Sequence, residues 1–229
     1  MRTILQADNV TKVYHDNGVP VKALRGVSLS IAPGEFTVLA GPSGSGKTTL
    51  LNLLGALDKP TGGRVLSNGD DIGGYSKNRL SEFRLNSVGF IFQAYNLIPV
   101  LTAVENVEFT MVLQGVPERE RRARAMETLN ELGIMDLAQK RPNEMSGGQQ
   151  QRIAVGRALV THPAIILADE PTANLDTVTG ASLLDLMQNM NGEKNVTFLF
   201  SSHDTQVIER GKRVVRLKDG QVDSDTVAP

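Results

Sequence analysis

The chain has 229 residues, with 24 Lys and Arg against 25 Asp and Glu, a net charge of −1 and no cysteine. That length is ample for a buried core, as one large domain or one with an inserted lobe. The charge balance excludes a global basic field that would draw nucleic acid, while the lack of cysteine excludes disulfides and thiolate sites and suits a reducing compartment.

Asp8 follows Met1 too closely for a signal peptide, and no apolar run approaches the ~18 residues that span a bilayer. The chain therefore reads as soluble, with any membrane role exercised through a partner. Residues 3–14 and 21–31 carry strand-like alternation, with Val27, Leu29 and Ile31 on one side and Ser28 and Ser30 on the other. Asp16-Asn17-Gly18 is a turn signal between them, and Pro33-Gly34 closes the second run. A small β subdomain is thus expected ahead of the core. Tyr14 ends the first strand, where an exposed aromatic suits stacking on a nucleobase as well as an ordinary strand position.

Phe36-Thr37-Val38-Leu39-Ala40 is short, apolar and β-prone, and Leu50 to Leu57 reads as a buried helix. Between them, Gly41-Pro42-Ser43-Gly44-Ser45-Gly46-Lys47-Thr48-Thr49 fits the phosphate-loop pattern in full. Gly41, Gly44 and Gly46 allow backbone N–H groups to turn inward on a phosphate chain, and the helix dipole adds positive potential. Lys47 would reach the β- and γ-phosphates, and the Thr48 hydroxyl would ligate Mg²⁺.

Lys59 to Gly63 reads as a loop, Arg64 to Gly69 as a short strand and turn, and residues 78–86 as a helix. Ser87 to Phe92 is a further buried strand ending at Gln93, whose amide oxygen could ligate Mg²⁺. From about 94 to 160 the texture becomes helical. Pro117 suits the first turn of a helix reaching Gly133, with Met126, Leu129 and Leu132 on one face. Its alternating arginines and glutamates fit a solvated face better than a nucleic-acid patch. Met145-Ser146-Gly147-Gly148-Gln149 could be a loop and N-cap or a second anion cradle.

Ala164 to Ala168 is a continuous apolar run typical of a parallel strand covered on both faces. It ends in Asp169-Glu170, where open α/β sheets bind ligands. Asp169 would hold Mg²⁺, and Glu170 could polarise a water aimed at the γ-phosphate. A helix over 179–190 and a buried strand over 195–201 follow, the latter leading to His203, whose ring can donate to a phosphate oxygen. Arg213 to Val222 reads as a hairpin around Asp219-Gly220, and the last seven residues as a frayed tail.

Together these residues resemble the ATP-binding cassette ATPases over nearly the whole chain. Gly41–Thr48 resembles the Walker A loop, Ile165–Asp169 the Walker B strand, Glu170 the catalytic glutamate and Gln93 the Q-loop. Ser146-Gly147-Gly148-Gln149 resembles the signature, with Met145 where leucine is usual. Ala173-Asn174-Leu175-Asp176 looks like the D-loop, with Ala173 in place of the commoner glycine. His203 looks like the switch histidine, after Ser201-Ser202 where threonine is usual. The resemblance implies an α/β fold: a phosphate-loop core with an antiparallel β subdomain (1–93 and 161–229) and an inserted α-helical subdomain (94–160). It also implies ATP with Mg²⁺, Tyr14 stacked on adenine, and a head-to-tail homodimer in which Ser146 and its glycines meet the γ-phosphate held by the other copy.

Val88 to Pro99 and Leu101 to Val107 resemble the subgroup containing the LolD, MacB and FtsE ATPases. That implies a peripheral ATPase at the cytoplasmic face of the inner membrane. It would drive a permease of the MacB, LolC/LolE or FtsX kind, docked near residues 94–104, with no nucleic-acid partner. The rival readings are a regulatory switch of the FtsE kind, a soluble cassette of DNA repair or translation, and an importer ATPase.

Overall fold

The computed structural model describes residues 3–16 and 18–227. In chain order the strands and helices are β1 (Leu5–Asp16), β2 (Val19–Ile31), β3 (Phe36–Ala40), α1 (Lys47–Leu54), β4 (Gly62–Ser67), β5 (Asp70–Asp71), α2 (Lys77–Ser87) and β6 (Val88–Ile91). They continue as α3 (Ala103–Leu113), α4 (Glu118–Glu131), α5 (Gly147–Leu159), β7 (Ile165–Asp169), α6 (Thr177–Lys194), β8 (Phe198–Ser202), α7 (Thr205–Arg210), β9 (Arg213–Lys218) and β10 (Gln221–Val227).

Alternation in β2 buries Val27, Leu29 and Ile31 and exposes Ser28 and Ser30, as the pattern predicts. This strand pairs antiparallel with β1, which pairs on its other side with β4, giving a sheet in the order β2-β1-β4-β5. Of the expected Asp16-Asn17-Gly18 turn, Asn17 lies outside the described residues.

The second sheet runs β10-β9-β3-β8-β7-β6, with parallel pairing from β9 to β6 and β10 antiparallel at the edge. Apolar groups are buried on both of its faces. Val38, Ile166, Ala168, Phe198 and Phe200 share one core with α3, α4, α5 and α6. Leu39, Leu167, Leu199, Val215 and Leu217 share the other with α1 and the antiparallel sheet. Because side chains alternate along a strand, one continuous apolar run supplies both cores.

Arg121 and Arg124 pair with Glu118 and Glu120 of their own helix, and Arg121 and Arg122 also reach Glu108 of α3. Glu118, Arg119, Glu120 and Glu127 are exposed, as a solvated face requires, whereas Arg121, Arg122 and Arg124 are half-buried and Glu108 is buried against α4, which ends at Glu131 ahead of a left-handed Gly133 at φ 66°.

Three expectations are corrected in the last third of the chain. The helix expected over 179–190 extends from Thr177 to Lys194, and Asn195, expected to start a strand, is its left-handed C-cap at φ 54°. The strand therefore begins at Phe198. A short helix, α7, follows His203 where none was expected. Residues 223–227, expected as a frayed tail, complete β10 on an Asp219-Gly220 turn with positive φ at both positions.

That edge strand is laddered to β9 and further tied by Arg213, which donates to Asp225 at 2.8 and 2.7 Å and to Glu35 at 2.8 Å. The guanidinium holds the Asp225 carboxyl below the ordinary aspartate range, outweighing partial burial. A carboxylate whose pKa is depressed by folding stabilises above its unfolded pKa, and the contribution is lost as pH falls through the folded value. Asp225→Asn should therefore cost ~1 kcal/mol or less at pH 7 in urea unfolding, as expected for a partly exposed pair. The gap from the parent should narrow as pH falls through the folded value, which lies below the ordinary aspartate range. A gap that persists unchanged there would contradict the assignment.

Candidate functional site

The phosphate loop leaves β3 and enters α1 through Gly46, the helix N-cap, at φ 103°. A side chain there would also strike the backbone, since a Cβ would lie 2.8 Å from Ala23 O. Neither a side-chain cap nor an acidic residue occupies the first turn of α1. Its leading N–H groups are therefore directed at the loop without a protein acceptor from a side chain. Lys47 is 7% exposed, and its Nζ donates to the carbonyls of Gly41 at 2.7 Å and Pro42 at 3.1 Å. No carboxylate pairs with it among the described residues. Ser45 Oγ is likewise buried with no hydrogen-bond partner among them. Pro42, Ser43, Gly44 and Thr48 are exposed around this buried cation.

Asp169 ends β7 beside the loop. Its Oδ1 accepts a hydrogen bond from Thr48 Oγ1 at 3.0 Å and another from Ser201 Oγ at the end of β8. Glu170 is left-handed, at φ 46°, a conformation costing roughly 1–3 kcal/mol for a residue with a side chain. It is held by its N–H to Ser201 O at 3.1 Å, and the turn aims the carboxylate at β8 rather than along β7. Glu170 Oε1 lies 2.8 Å from His203 Nδ1, and Oε2 accepts from Ser202 Oγ at 3.3 Å. Lys47, Thr48, Asp169, Glu170 and His203 thus gather along the C-terminal ends of β3, β7 and β8.

Tyr14 adjoins this group through Thr49. Its phenol is raised above the ordinary pKa by partial burial and by its hydrogen bond to Asp58, with the Thr49 hydroxyl acting the opposite way. That bond to Asp58 Oδ2 is 2.9 Å, and Lys12 Nζ lies over one ring face at 4.8 Å from the centroid.

Three other sequence-predicted groups stand apart. The Gln93 side chain is exposed and no hydrogen bond joins it to Thr48 or Asp169, while its carbonyl accepts from Asn174 Nδ2 at 2.9 Å. Ser146 and Gln149 form a capping box at the start of α5, with Ser146 exposed. No hydrogen bond connects residues 146–149 to residues 41–49 among the described residues. Asp176 caps α6, accepting from Val178 N, Thr179 N and Thr179 Oγ1, and the last of these leads in holding its pKa low.

A family model described as ABC transporter matches residues 24–173. The chain belongs to the ABC transporter family. An uncharacterized ABC transporter ATP-binding protein of Thermotoga maritima is 46% identical over 223 residues, covering 97% of this chain and 95% of that one. The macrolide export ATP-binding/permease protein MacB of Brucella abortus is 44% identical over 97% of this chain, which spans only 34% of MacB. Among solved structures, the dimeric post-hydrolysis state of a Methanocaldococcus jannaschii cassette bound to ADP and Pi superposes with a TM-score of 0.90 at 42% identity, covering 98% of each chain. The cassette is thus an ATP-binding, ATP-hydrolysing subunit by family.

Sequence reasoning missed Ser201 as a partner of Asp169, and Tyr95 and Asn174 as neighbours of the signature glycines. Tyr95 and Asn174 sit in loops without a periodic pattern, so only the folded chain shows where they meet. The signature itself is tightly seated: a Cβ on Gly148 would lie 2.3 Å from Thr179 Cγ2. Thr179 cannot swing away freely, because its Oγ1 bonds Asp176 Oδ2 at 2.6 Å. Gly148→Ala should therefore cost ~1–2 kcal/mol in urea unfolding, an overpacking effect. Adding Thr179→Ser, which keeps the hydroxyl and removes the methyl, should recover at least half of the loss. No loss in the single variant would contradict this packing.

Proposed function

We propose that two copies of this cassette close head to tail around two ATP molecules, hydrolyse them and drive a separate integral-membrane permease. The observation that carries the reading is Lys47, a buried cation without a carboxylate partner at an uncapped helix start. Burying such a charge is costly unless an anion completes it, and a triphosphate supplies one. Ser45 Oγ, buried and unpartnered, is a second donor in the same loop. Gly41 to Thr49 would hold the phosphates, and Tyr14 would stack on adenine through the ring face away from Lys12.

The donor set at the strand ends suits Mg²⁺. Thr48 and Asp169 present hard oxygens 3.0 Å apart, and no cluster of three or more His, Cys, Asp or Glu side chains able to hold a metal occurs among the described residues. A pair of protein oxygens matches an ion that keeps its waters and takes phosphate oxygens. Thr48 and Asp169 would hold the ion, with Gln93 joining them if its exposed amide turns inward. Bound there, Mg²⁺ neutralises charge on the phosphates.

Glu170 is the proposed general base. The carboxylate accepts a proton from the attacking water while His203, held against it at Nδ1, positions the γ-phosphate end of the site. Lys47 offsets the charge that develops on the transferred group. Ser146, Gly147 and Gly148 would complete the site from the partner copy, in keeping with the lack of any hydrogen bond between them and the loop of their own chain among the described residues. The M. jannaschii cassette, dimeric with ADP and Pi, supports this arrangement. Asp176, committed to capping α6, would act at that interface.

The helical insert (94–160) is proposed as a subdomain of its own, carried on the core formed by 1–93 and 161–229. A cavity of about 380 Å³ lies between them, lined by Leu57, Arg84, Phe90, Asn96, Leu113 and Arg157 among others. It is the proposed seat of the permease. It draws chiefly on α2, β6, α3 and α5, and Asn96 is its one lining residue from the run 94–104. MacB, named as an ATP-binding/permease protein, supports a permease partner, because this chain spans only 34% of it. No described helix is long and apolar enough to cross a membrane. With a permease as its partner, the subunit would sit at the cytoplasmic face of the inner membrane, serving lipoprotein release or export of drugs or peptides.

Glu170→Gln should leave ATP binding intact and cut steady-state turnover by at least ~100-fold, the size of a general-base contribution. Turnover like that of the parent would remove Glu170 from the role. Ser146→Arg should abolish the ATP-dependent dimer while a single copy still binds nucleotide, measured by light scattering and nucleotide titration. A dimer that survives would remove the trans role of the signature.

A further inference from the structure

The α5 helix that begins at the signature carries a partly buried arginine, Arg157, in its last turn, and the mechanism above does not use it. Arg157 donates one Nη to Tyr95 O at 2.9 Å and the other to Asn96 O. Burial pushes its pKa down, and no carboxylate among the described residues offsets that cost. The two carbonyls belong to consecutive left-handed residues, Tyr95 at φ 58° and Asn96 at φ 50°. Each costs roughly 1–2 kcal/mol in that conformation, so the pair persists only where surrounding contacts hold it. A planar guanidinium fork can hold both carbonyls at once.

This clamped pair begins two residues past Gln93 and lies between the signature and the cavity. The Tyr95 hydroxyl lies where a Cβ on Gly147 would be only 2.7 Å away. Asn174, whose carbonyl is 3.5 Å from that hydroxyl, also donates to Gln93 O. On the opposite side, Asn96 and Arg157 line the 380 Å³ cavity. The same few atoms therefore face the cavity, the Gln93 loop and the signature.

We propose that Arg157 is a positioning residue, whose fork on Tyr95 and Asn96 transmits occupation of the cavity to the Gln93 loop and so to turnover. The inference rests on the proposed role of Gln93. A segment entering the cavity meets Asn96 and the guanidinium directly. Any displacement of the fork shifts the left-handed pair, and with it the peptide that follows Gln93.

The chain has no cysteine, so Leu113→Cys on the exposed rim of the cavity gives a single site for fluorescein-5-maleimide. In the full chain with Arg157, the label should change kcat at least twofold with KM for ATP unchanged. With Arg157→Gln the labelled and unlabelled proteins should agree within about 20%. Arg157→Lys, which keeps the charge but not the fork, should behave like Arg157→Gln and serves if that variant does not fold. A label effect of equal size in all three backgrounds, or none with Arg157 present, overturns the inference. Gln93→Ala tests the underlying reading separately. If it retains full kcat the role of Gln93 fails, whereas a large loss with an Arg157-independent label effect faults Arg157 alone.

Discussion

The parallel register of three strands is the constraint on which the site depends. Ala40 pairs with Ser202, and Ser201 with Asp169, so β3, β8 and β7 end level with one another. One residue beyond those pairs stand Gly41, His203 and Glu170. The Asp169 carboxylate ties the three together by accepting from Thr48 and Ser201. A slip of one residue would send each strand's inward side chains to the other face and separate these groups. Fold and chemistry are thus linked through strand pairing buried on both sides.

The same geometry fits the proposal that one chain supplies half a site. Its phosphate loop is rich in donors and carries a cation, while its signature is an exposed helix start on a different element. Ser146 and Gln149 cap one another, which prepares the first turn of α5 without closing it. Between the two regions, the loop from Gln93 to Asn96 is held by Asn174 on one side and Arg157 on the other. Tyr95 and Asn96, both left-handed, lie in this loop and persist because surrounding contacts hold them.

Much of this was legible in the sequence because buried strands and glycine loops have strong local signatures. Val27, Leu29 and Ile31 announced their face, and Gly41 to Thr49 announced the turn between β3 and α1. The misread segments had weaker local rules. Asn195 looks like a strand start beside Val196 and Thr197, but tolerates the left-handed cap that prolongs α6. Val227 belongs to β10 because it pairs across the ladder with Arg213, whose guanidinium also binds Asp225. Likewise nothing local in the sequence marks Arg157. Its surroundings arise from two loop carbonyls 61 and 62 positions away.

Hydrolysis as proposed requires the phosphate loop of one copy to meet the signature of another. Two single-cysteine chains test this directly, one with Ser43→Cys and one with Ser146→Cys, both carrying Glu170→Gln. Mixed and oxidised with ATP, they should form the 43–146 cross-linked pair in high yield, and little of it without nucleotide. A mixture that yields only 146–146 links with ATP would contradict the head-to-tail site.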